Sequence, residues 1–306
     1  MSISTPQQRI RAVREEYSLR ETLEGYGFSV PYLLVFAAFL VYPLAYGFWM
    51  SLHDWNALFP DRTEFVGLAN YQTLLADPQF WNALGNTVYF VVLTVPFLVV
   101  LSLLLALGVN RSIKGRRVLR TLFFSPYVLT VSVVGLLWQD VFETNGLIAY
   151  FTGFVAEPVN WLIDPLLAMP AVAIATIWWT IAFNFIILLA ARQNVGEQLY
   201  EAARLDGATS WRAMVDITIP QMRNPMMFVV ITSFLSSFQV FGQPYIMTDG
   251  GPAGATETIV MYLYRTGFSA REFGYAAAVG YVLFLVMVAV SLVNYFVLQD
   301  DGGTSA

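Results

Sequence analysis

The 306-residue sequence contains no cysteine and only one histidine, His53. Without cysteine, the chain can form no disulfide and no thiolate metal site, and it has no cysteine nucleophile. Charge is also scarce, because 12% of the residues are charged, whereas a soluble globular domain has about 25%. A net charge of −5 gives no indication of nucleic-acid binding. These absences point to a chain that is surrounded mainly by lipid.

Apolar residues make up 57% of the sequence, and six windows are long enough to cross a bilayer. A bilayer core requires roughly 20 apolar residues in a helix, and lipid offers no partner to an unpaired backbone group. The sequence therefore predicts an all-α membrane protein with six transmembrane helices. The predicted spans are residues 28–52, 86–109, 121–142, 171–191, 225–247 and 275–298. We expect Pro43, Pro96 and Pro126 to kink the spans that contain them.

Lysine and arginine are distributed unequally between the two sides of these spans. Of the 16 basic residues, 13 fall in residues 1–27, 110–120, 192–224 and 299–306. The positive-inside rule then places both termini in the cytoplasm, with residues 1–27 and 299–306 as short cytoplasmic ends of a membrane domain of residues 28–298. The first apolar run is too long for the h-region of a signal peptide.

Residues 197–220 form a polar segment whose pattern differs from that of the spans around it. Helix-forming residues are frequent up to Leu205, and Gly207 suits a left-handed helix end. Thr209 or Ser210 can then cap a second helix, which has apolar residues at helical spacing and which we expect Pro220 to end. The sequence thus predicts two short helices joined by an elbow of small residues.

Two interpretations of this segment are possible. It could lie on the lipid headgroups as an interfacial loop. However, basic residues are sparse for a helix that anchors to lipid. Small residues on the segment permit close approach by another backbone, so the residue pattern favours docking of a protein. The small residues are Ala202, Ala203, Gly207 and Ala208.

Three stretches carry a resemblance to a known family. Glu201-Ala202-Ala203, Gly207 and Ile217-x-Ile219-Pro220 resemble the EAA loop of the permease subunits of bacterial and archaeal ABC importers. Residues 65–71 (FVGLANY) and 245–252 (YIMTDGGP) are similar to the carbohydrate-uptake branch, the maltose and glycerol-phosphate type. The resemblance covers residues 28–298, but the large extracytoplasmic insertion of the bigger maltose permease subunit is absent.

The resemblance implies that residues 197–220, called the EAA segment below, form a coupling helix that inserts into an ATPase subunit. The residues that it assigns to coupling are Glu201, Ala202, Ala203, Asp206, Gly207 and Ala208. It also implies four partners besides lipid and a sugar substrate: a second homologous permease, two ATPase subunits and an extracytoplasmic sugar-binding protein. The expected location is the cell membrane of a bacterium or archaeon.

Several motifs of catalysis are missing from the sequence. No G-x-x-x-x-G-K-[ST] phosphate-binding loop occurs, and neither does H-E-x-x-H or the G-x-S-x-G nucleophile elbow. We therefore expect no enzymatic activity, no catalytic residue, no metal site and no cofactor on this chain. ATP and Mg²⁺ would be bound by the partner ATPase.

Two predicted spans carry polar and aromatic residues at helical spacing. Such residues are costly in lipid and usually face a cavity or a partner helix. Rings that stack on a sugar, beside hydroxyl and amide groups, suit a neutral polyol, although helix packing through small residues explains the same pattern. The resemblance to maltose-type permeases assigns these positions to the substrate path. They are Thr176, Trp179, Thr180, Phe183, Asn184, Ser233, Ser236, Ser237 and Val240.

The sequence as a whole predicts the permease subunit of a binding-protein-dependent ABC importer for a neutral sugar or oligosaccharide. An uncharged substrate is favoured because no predicted span contains lysine or arginine. The alternatives are an ABC permease for glycerol phosphate, an amino acid, phosphate or another small solute, and an ion-coupled secondary transporter. An ion-coupled transporter would usually need buried carboxylates, and only Asp140, near the end of a span, comes close.

Overall fold

The structure, a computed structural model, describes residues 19–55, 63–109, 115–152 and 159–300. The described residues form helices joined by turns and loops, and one short hairpin in which β1 (His53–Asp54) pairs antiparallel with β2 (Glu64–Phe65). The α-helices are α1 (Leu19–Phe36), α2 (Tyr42–Ser51), α3 (Ala69–Ala76), α4 (Pro78–Val109), α5 (Arg116–Phe124), α6 (Val131–Phe142), α7 (Leu147–Thr152), α8 (Ala168–Asn194), α9 (Glu197–Leu205), α10 (Ser210–Ala213), α11 (Ile219–Gln221), α12 (Arg223–Phe238), α13 (Gly242–Thr248), α14 (Ile259–Tyr264) and α15 (Phe273–Asp300).

Within the described ranges, four helical stretches are long and apolar enough to cross a membrane: Tyr26–Ser51, Pro78–Val109, Ala168–Asn194 and Phe273–Val293. Two bent helix pairs raise the number to as many as six if each pair counts as one span. The first stretch joins α1 and α2 through a π-helical turn at Ala37–Val41, just before Pro43. Pro96 lies within α4, which continues on both sides of it.

The span predicted over residues 121–142, with a kink at Pro126, is sharply bent near that proline in the structure. The structure breaks this region into Val118–Val128 and Val131–Phe151, which meet at 101°. Pro126 lacks a backbone N–H and lies in a 3-10 turn, after which Leu129 and Thr130 are extended. Thr130 then caps α6 by accepting a hydrogen bond from the N–H of Val133. The freed carbonyl of Leu129 accepts a hydrogen bond from Nε1 of Trp179 at 3.1 Å.

The span predicted over residues 225–247 as one unbroken helix is instead bent by 43° between α12 and α13, around residues 239–241. Close packing explains why α13 takes its own direction. A Cβ on Gly242 would lie 2.5 Å from Cγ2 of Val131 at the start of α6, so only glycine permits this approach. The start of α13, after the second break, therefore packs directly against the start of α6, after the first break.

The stretch of residues 65–71 fixes the end of the first span. Asn70 donates from Nδ2 to the carbonyls of Ser51 and His53, at 2.9 and 3.1 Å. The hydroxyls of Ser51 and Tyr71 are 2.7 Å apart. These contacts hold α2, the β-hairpin and α3 together.

The loop after α13 contains the Gly250-Gly251-Pro252 stretch and is tied to α4 and α14. Nδ2 of Asn86 donates to the carbonyl of Gly254 at 2.7 Å. Arg265 forms ion pairs with Asp249 at 3.0 Å and with Glu257 at 2.9 Å. Both stretches that resemble the carbohydrate-uptake branch thus connect neighbouring helices in this fold through hydrogen bonds and ion pairs.

Asp77 lies where α3 meets α4 and accepts hydrogen bonds from the hydroxyls of Tyr262 and Tyr275. Partial burial of Asp77 acts to raise its pKa. The hydrogen bond from Tyr262 and further bonds from Gln79, Tyr275 and Phe80 outweigh burial, so the pKa of Asp77 is lowered from its usual value. Burial of the Tyr262 hydroxyl and its hydrogen bond to Asp77 raise the pKa of Tyr262. The carboxylate therefore anchors α14 and α15 to the start of α4.

Candidate translocation cavity and EAA segment

A cavity of about 570 Å³ lies between α8 and α12, with the breaks in the two bent pairs at its wall. We call it the central cavity. All nine residues that the sequence predicted for the substrate path line it. They are Thr176, Trp179, Thr180, Phe183, Asn184, Ser233, Ser236, Ser237 and Val240. The two polar faces therefore meet at one place.

Several of these polar side chains bridge helices as well as line the cavity. Asn184 donates from Nδ2 to the Oγ of Ser233 at 2.8 Å, and Thr94 on α4 donates to the Oγ of Ser237 at 2.9 Å. Asn184, Ser233 and Ser237 are each at least 95% buried. Ser236, by contrast, is exposed in this chain. Helix packing and cavity lining are thus combined at Ser233 and Ser237, whereas Ser236 presents its hydroxyl to the cavity.

Aromatic rings form one side of the central cavity. The ring of Tyr127 stacks on that of Phe183, with centroids 6.1 Å apart and an angle of 23°, and lies 6.5 Å from the Trp179 ring. The bond from Trp179 to Leu129 fixes the orientation of the indole. Sugar rings bind to such surfaces through their apolar C–H faces while their hydroxyls need hydrogen-bond partners, and both kinds of group are present here.

Several residues of this cavity do not follow from the helical spacing of the sequence, above all Tyr127, Phe241 and Gln243. These residues lie at or beside the two helix breaks, not on the helical faces that the spacing indicated. Pro126 and Gly242 were the available signals, since proline and glycine within an apolar run mark a break. Helical spacing alone cannot reveal such residues, because it assumes an unbroken helix.

The cavity carries no formal charge on the described side chains that line it, which include Thr232, Gln239 and Gln243. Among the residues that the structure describes, no group of three or more His, Asp or Glu side chains could hold a metal ion. The chemistry available at this site is therefore stacking and neutral hydrogen bonding, which can hold and pass a polar solute without reacting with it.

The EAA segment folds largely as its sequence predicts. Helix α9 spans Glu197–Leu205, and Gly207 adopts a left-handed φ of 75°. The helix ends in a Schellman motif, because the N–H of Ala208 bonds to the carbonyl of Ala203 at 2.8 Å and that of Gly207 to Arg204 at 3.1 Å. Thr209 caps the second helix by accepting from the N–H of Arg212.

The expectation that Pro220 ends the second helix was wrong. The chain passes from α10 through a π-helical turn at Met214–Thr218 into α11, which contains Pro220 in its first turn. Proline is tolerated in the first turn of a helix because its missing N–H has no intrahelical partner there. Helix α11 begins directly after the π-helical turn, so the EAA segment continues almost directly into α12.

The EAA segment is anchored to the end of α8. The guanidinium of Arg192 lies 4.4 Å from the ring centroid of Tyr200. The hydroxyls of Tyr200 and Thr218 are 2.7 Å apart, and Thr218 is 2% exposed. These contacts connect α8, which carries Trp179 and Phe183, to both arms of the segment.

The predicted coupling residues lie at the free surface of the segment. Glu201, Ala202, Asp206 and Gly207 are exposed, and Ala203 and Ala208 are half-buried. Two large apolar side chains that the sequence analysis did not assign to coupling protrude beside them: Leu205 is 90% exposed and Trp211 is 72% exposed. Such exposed apolar groups beside small residues are typical of a protein contact surface.

A polytopic helical fold, a central uncharged cavity and an exposed two-helix segment between spans define a membrane permease. The model of the family described as binding-protein-dependent transport system inner membrane component matches residues 73–299. The chain belongs to this family and is a multi-pass membrane protein that acts in transport.

Named relatives match nearly the whole chain. The lactose transport system permease protein LacF of Rhizobium radiobacter is 32% identical, with 91% of this chain and 95% of that protein covered. The trehalose/maltose transport system permease protein MalF of Thermococcus litoralis is also 32% identical, with 90% and 93% covered. The arabinooligosaccharides transport system permease protein AraP of Bacillus subtilis is 32% identical, with 88% and 86% covered.

The fold is shared with a solved transporter. The crystal structure of a bacterial ABC transporter involved in the import of the acidic polysaccharide alginate superposes with a TM-score of 0.80 and 22% identity. It covers 96% of this chain and 100% of that one. A second crystal structure, of a bacterial alginate ABC transporter in complex with an alginate pentasaccharide-bound periplasmic protein, gives a TM-score of 0.81 at 23% identity. The similarity confirms the ABC importer permease fold.

Proposed function

We propose that this chain is a permease subunit of an ABC importer for a neutral sugar or oligosaccharide. The observation that carries the proposal is the central cavity, whose wall combines stacked aromatic rings with hydroxyl and amide groups and has no charged lining residue. A phosphorylated or acidic solute would enter without a countercharge from these side chains. The names of the relatives, which concern lactose, trehalose/maltose and arabinooligosaccharides, support a carbohydrate.

The surface of the EAA segment supports a partner that binds ATP. The chain has no phosphate-binding loop of its own, so the energy would come from ATPase subunits that receive the exposed elbow around Gly207. In this proposal Glu201, Ala202, Ala203, Asp206, Gly207 and Ala208 form the docking surface, with Leu205 and Trp211 as its apolar contacts. Arg192 and Tyr200 would connect docking to the helix that lines the cavity.

A second homologous permease and an extracytoplasmic binding protein complete the proposed assembly. The alginate-bound periplasmic protein in the matching crystal structure supports a binding protein on the side opposite the EAA segment. ATP-driven closure of the ATPases would rock the spans, so that the central cavity opens first to one side of the membrane and then to the other.

The test is uptake by the assembled transporter, in which this chain is reconstituted with a second permease, ATPase subunits and a binding protein. Radiolabelled neutral disaccharides and oligosaccharides, glycerol phosphate and an acidic oligosaccharide are offered in turn. We expect uptake of a neutral sugar that requires both ATP and the binding protein. Preferred uptake of glycerol phosphate or of the acidic oligosaccharide would refute the assignment to neutral sugars. Uptake without ATP that collapses with an ionophore would instead indicate an ion-coupled transporter.

A further inference from the structure

A second cavity, of about 380 Å³, lies between α5 and α8 towards the end of α8 that leads into the EAA segment. We call it the lower groove. Helix α8 contributes Ile186, Ala190 and Gln193 to its wall, and α5 contributes Arg120, Thr121 and Phe124. None of these residues belongs to the predicted substrate path.

The lower groove continues the face of α8 that lines the central cavity. Phe183, Ile186, Ala190 and Gln193 follow one another at intervals of three or four residues, which places them on one face of the helix. All four are exposed. From Thr176 to Gln193 this face extends about 26 Å at 1.5 Å per residue, which is most of the roughly 30 Å thickness of a bilayer core. One stripe of α8 therefore serves both cavities.

The stacked rings of Tyr127 and Phe183 stand between the two cavities. Both residues line the central cavity. Phe124 precedes Tyr127 by three residues, and Ile186 follows Phe183 by three residues. Both Phe124 and Ile186 line the lower groove. The Phe124 and Tyr127 rings are 6.1 Å apart, so the aromatic wall is continuous. The pair thus lies on the side of the central cavity that adjoins the lower groove.

We propose that the lower groove is the exit half of the sugar path and that Tyr127 and Phe183 form the barrier between it and the central cavity. This inference rests on the proposed function. The walls of the groove are mainly apolar and its polar groups lie at the outer end, so the sugar would be held weakly there. Weak binding suits release, because a solute must be able to leave each site along a path.

The absence of cysteine from the chain makes the proposal directly testable. Single cysteines are introduced as Ala190→Cys or Ser236→Cys, and the assembled transporter is exposed to a membrane-impermeant thiol reagent from the side of the EAA segment. We expect Ala190→Cys to react readily and Ser236→Cys to react slowly. Adding Tyr127→Ala should speed the reaction of Ser236→Cys several-fold and leave that of Ala190→Cys unchanged. Val92→Cys, on an exposed apolar position of α4, should stay unlabelled by the aqueous reagent.

Two results would overturn the proposal: no reaction at Ala190→Cys, or a reaction at Ser236→Cys that is equally fast with and without the Tyr127 ring. If Tyr127→Ala does not assemble, Phe183→Ala removes the other ring and carries the same expectation. Sugar uptake is measured in the same vesicles. Uptake of a neutral sugar without the expected labelling refutes only the exit path, whereas the expected labelling without such uptake refutes only the assignment to sugar.

Discussion

Asn184 on α8 donates a hydrogen bond to Ser233 on α12 across 2.8 Å, and both side chains are at least 95% buried. This bond joins the two polar faces that line the central cavity. Four residues further along α12, Ser237 is held in the same way by Thr94 on α4. The cavity wall is therefore built from polar contacts between helices, and substitutions there must be judged for packing as well as for passage of the substrate.

Substitutions of Ser236 and Ser237 can separate an effect on helix packing from an effect on passage of the substrate. Ser237→Leu should lower the amount of assembled complex in the membrane, because the larger side chain overfills a packed site at a cost of about 1–3 kcal/mol. Ser236→Leu should leave assembly intact but block uptake, because its side chain projects into the cavity. Immunoblots of the assembled complex and uptake assays on the same membranes measure both. Ser237→Ala is the matched control and should assemble. Normal uptake by assembled Ser236→Leu would remove this residue from the path.

Trp179 provides a test of stacking. Trp179→Ala removes a ring whose contact with a sugar is worth about 1–3 kcal/mol, by analogy with stacking on nucleic-acid bases. Since each 1.4 kcal/mol is a factor of ten, uptake should slow roughly tenfold or more. Basal ATPase activity of the complex should stay nearly intact because the EAA segment is unchanged. Trp179→Phe keeps a ring and loses only the bond to Leu129, so it should retain most of the uptake. Unchanged uptake by Trp179→Ala would argue against a sugar-stacking role.

Much of this architecture could be predicted from the sequence because lipid imposes strong rules. Apolar length gives the spans, and the spacing of Thr176, Trp179 and Ser233 gives the cavity faces, since both depend only on local sequence. A kink at Pro126 follows from the proline, but its angle of 101° and the break at Gly242 could not be predicted in the same way. Proline and glycine mark a possible break, but its angle depends on the packing of Gly242 against Val131, which only the folded chain brings together.

In the EAA segment too, some features follow from the local sequence and others do not. Helix α9, the left-handed Gly207 and the Thr209 cap follow from local propensities, and the structure confirms all three. The π-helical turn at Met214–Thr218 places Pro220 in the first turn of a new helix, and Thr218 of that turn contacts Tyr200, eighteen residues earlier. Proline breaks the interior of a helix but is tolerated in its first turn, so a local rule that does not see the new helix start misplaced the end of the helix.

Gly207 is the position where a substitution should separate coupling from folding. A Cβ there would have no atom within 4 Å, so Gly207→Ala costs only the left-handed backbone, about 1–2 kcal/mol. Gly207→Asp adds charge and bulk to the proposed docking surface and should abolish transport without preventing membrane insertion; Glu201→Lys should do the same. Co-purification of the ATPase measures docking. An ATPase that still co-purifies with Gly207→Asp, together with continuing transport, would show that the docking assignment is wrong.

The predicted topology can be measured with accessible tags. Tags at the N-terminus, in the loop at Lys114 and at the C-terminus should react only from the cytoplasmic side, because 13 of the 16 basic residues lie on that side in the six-span arrangement. Tags near Arg62 or Gly254 should react only from outside. A tag at Lys114 that reacts from outside would overturn the six-span arrangement.

Asp77, at the junction of α3 and α4, should make the stability of the folded protein depend on pH. Its pKa is lowered in the folded chain, so the carboxylate contributes stability at all pH values above its unfolded pKa, near 3.8, and this contribution is lost as the pH falls through the folded pKa. Asp77→Asn should therefore lower the melting temperature of the complex at pH 7, with a loss of about 1.5 kcal/mol for a hydrogen bond to a charged group. The difference between the two proteins should shrink as the pH falls below about 3.8.

Tyr262→Phe removes the main donor to Asp77 and is the matched variant. Because the two side chains act as one pair, the double variant should lose less stability than the sum of the single losses, whereas independent sites would give additive losses. Melting of the assembled complex, followed by light scattering at pH 7 and at stepwise lower pH, measures all four proteins. Two results together would show that the carboxylate does not anchor α14 through Tyr262. They are strict additivity at pH 7 and a difference between the unsubstituted protein and Asp77→Asn that does not change on acidification.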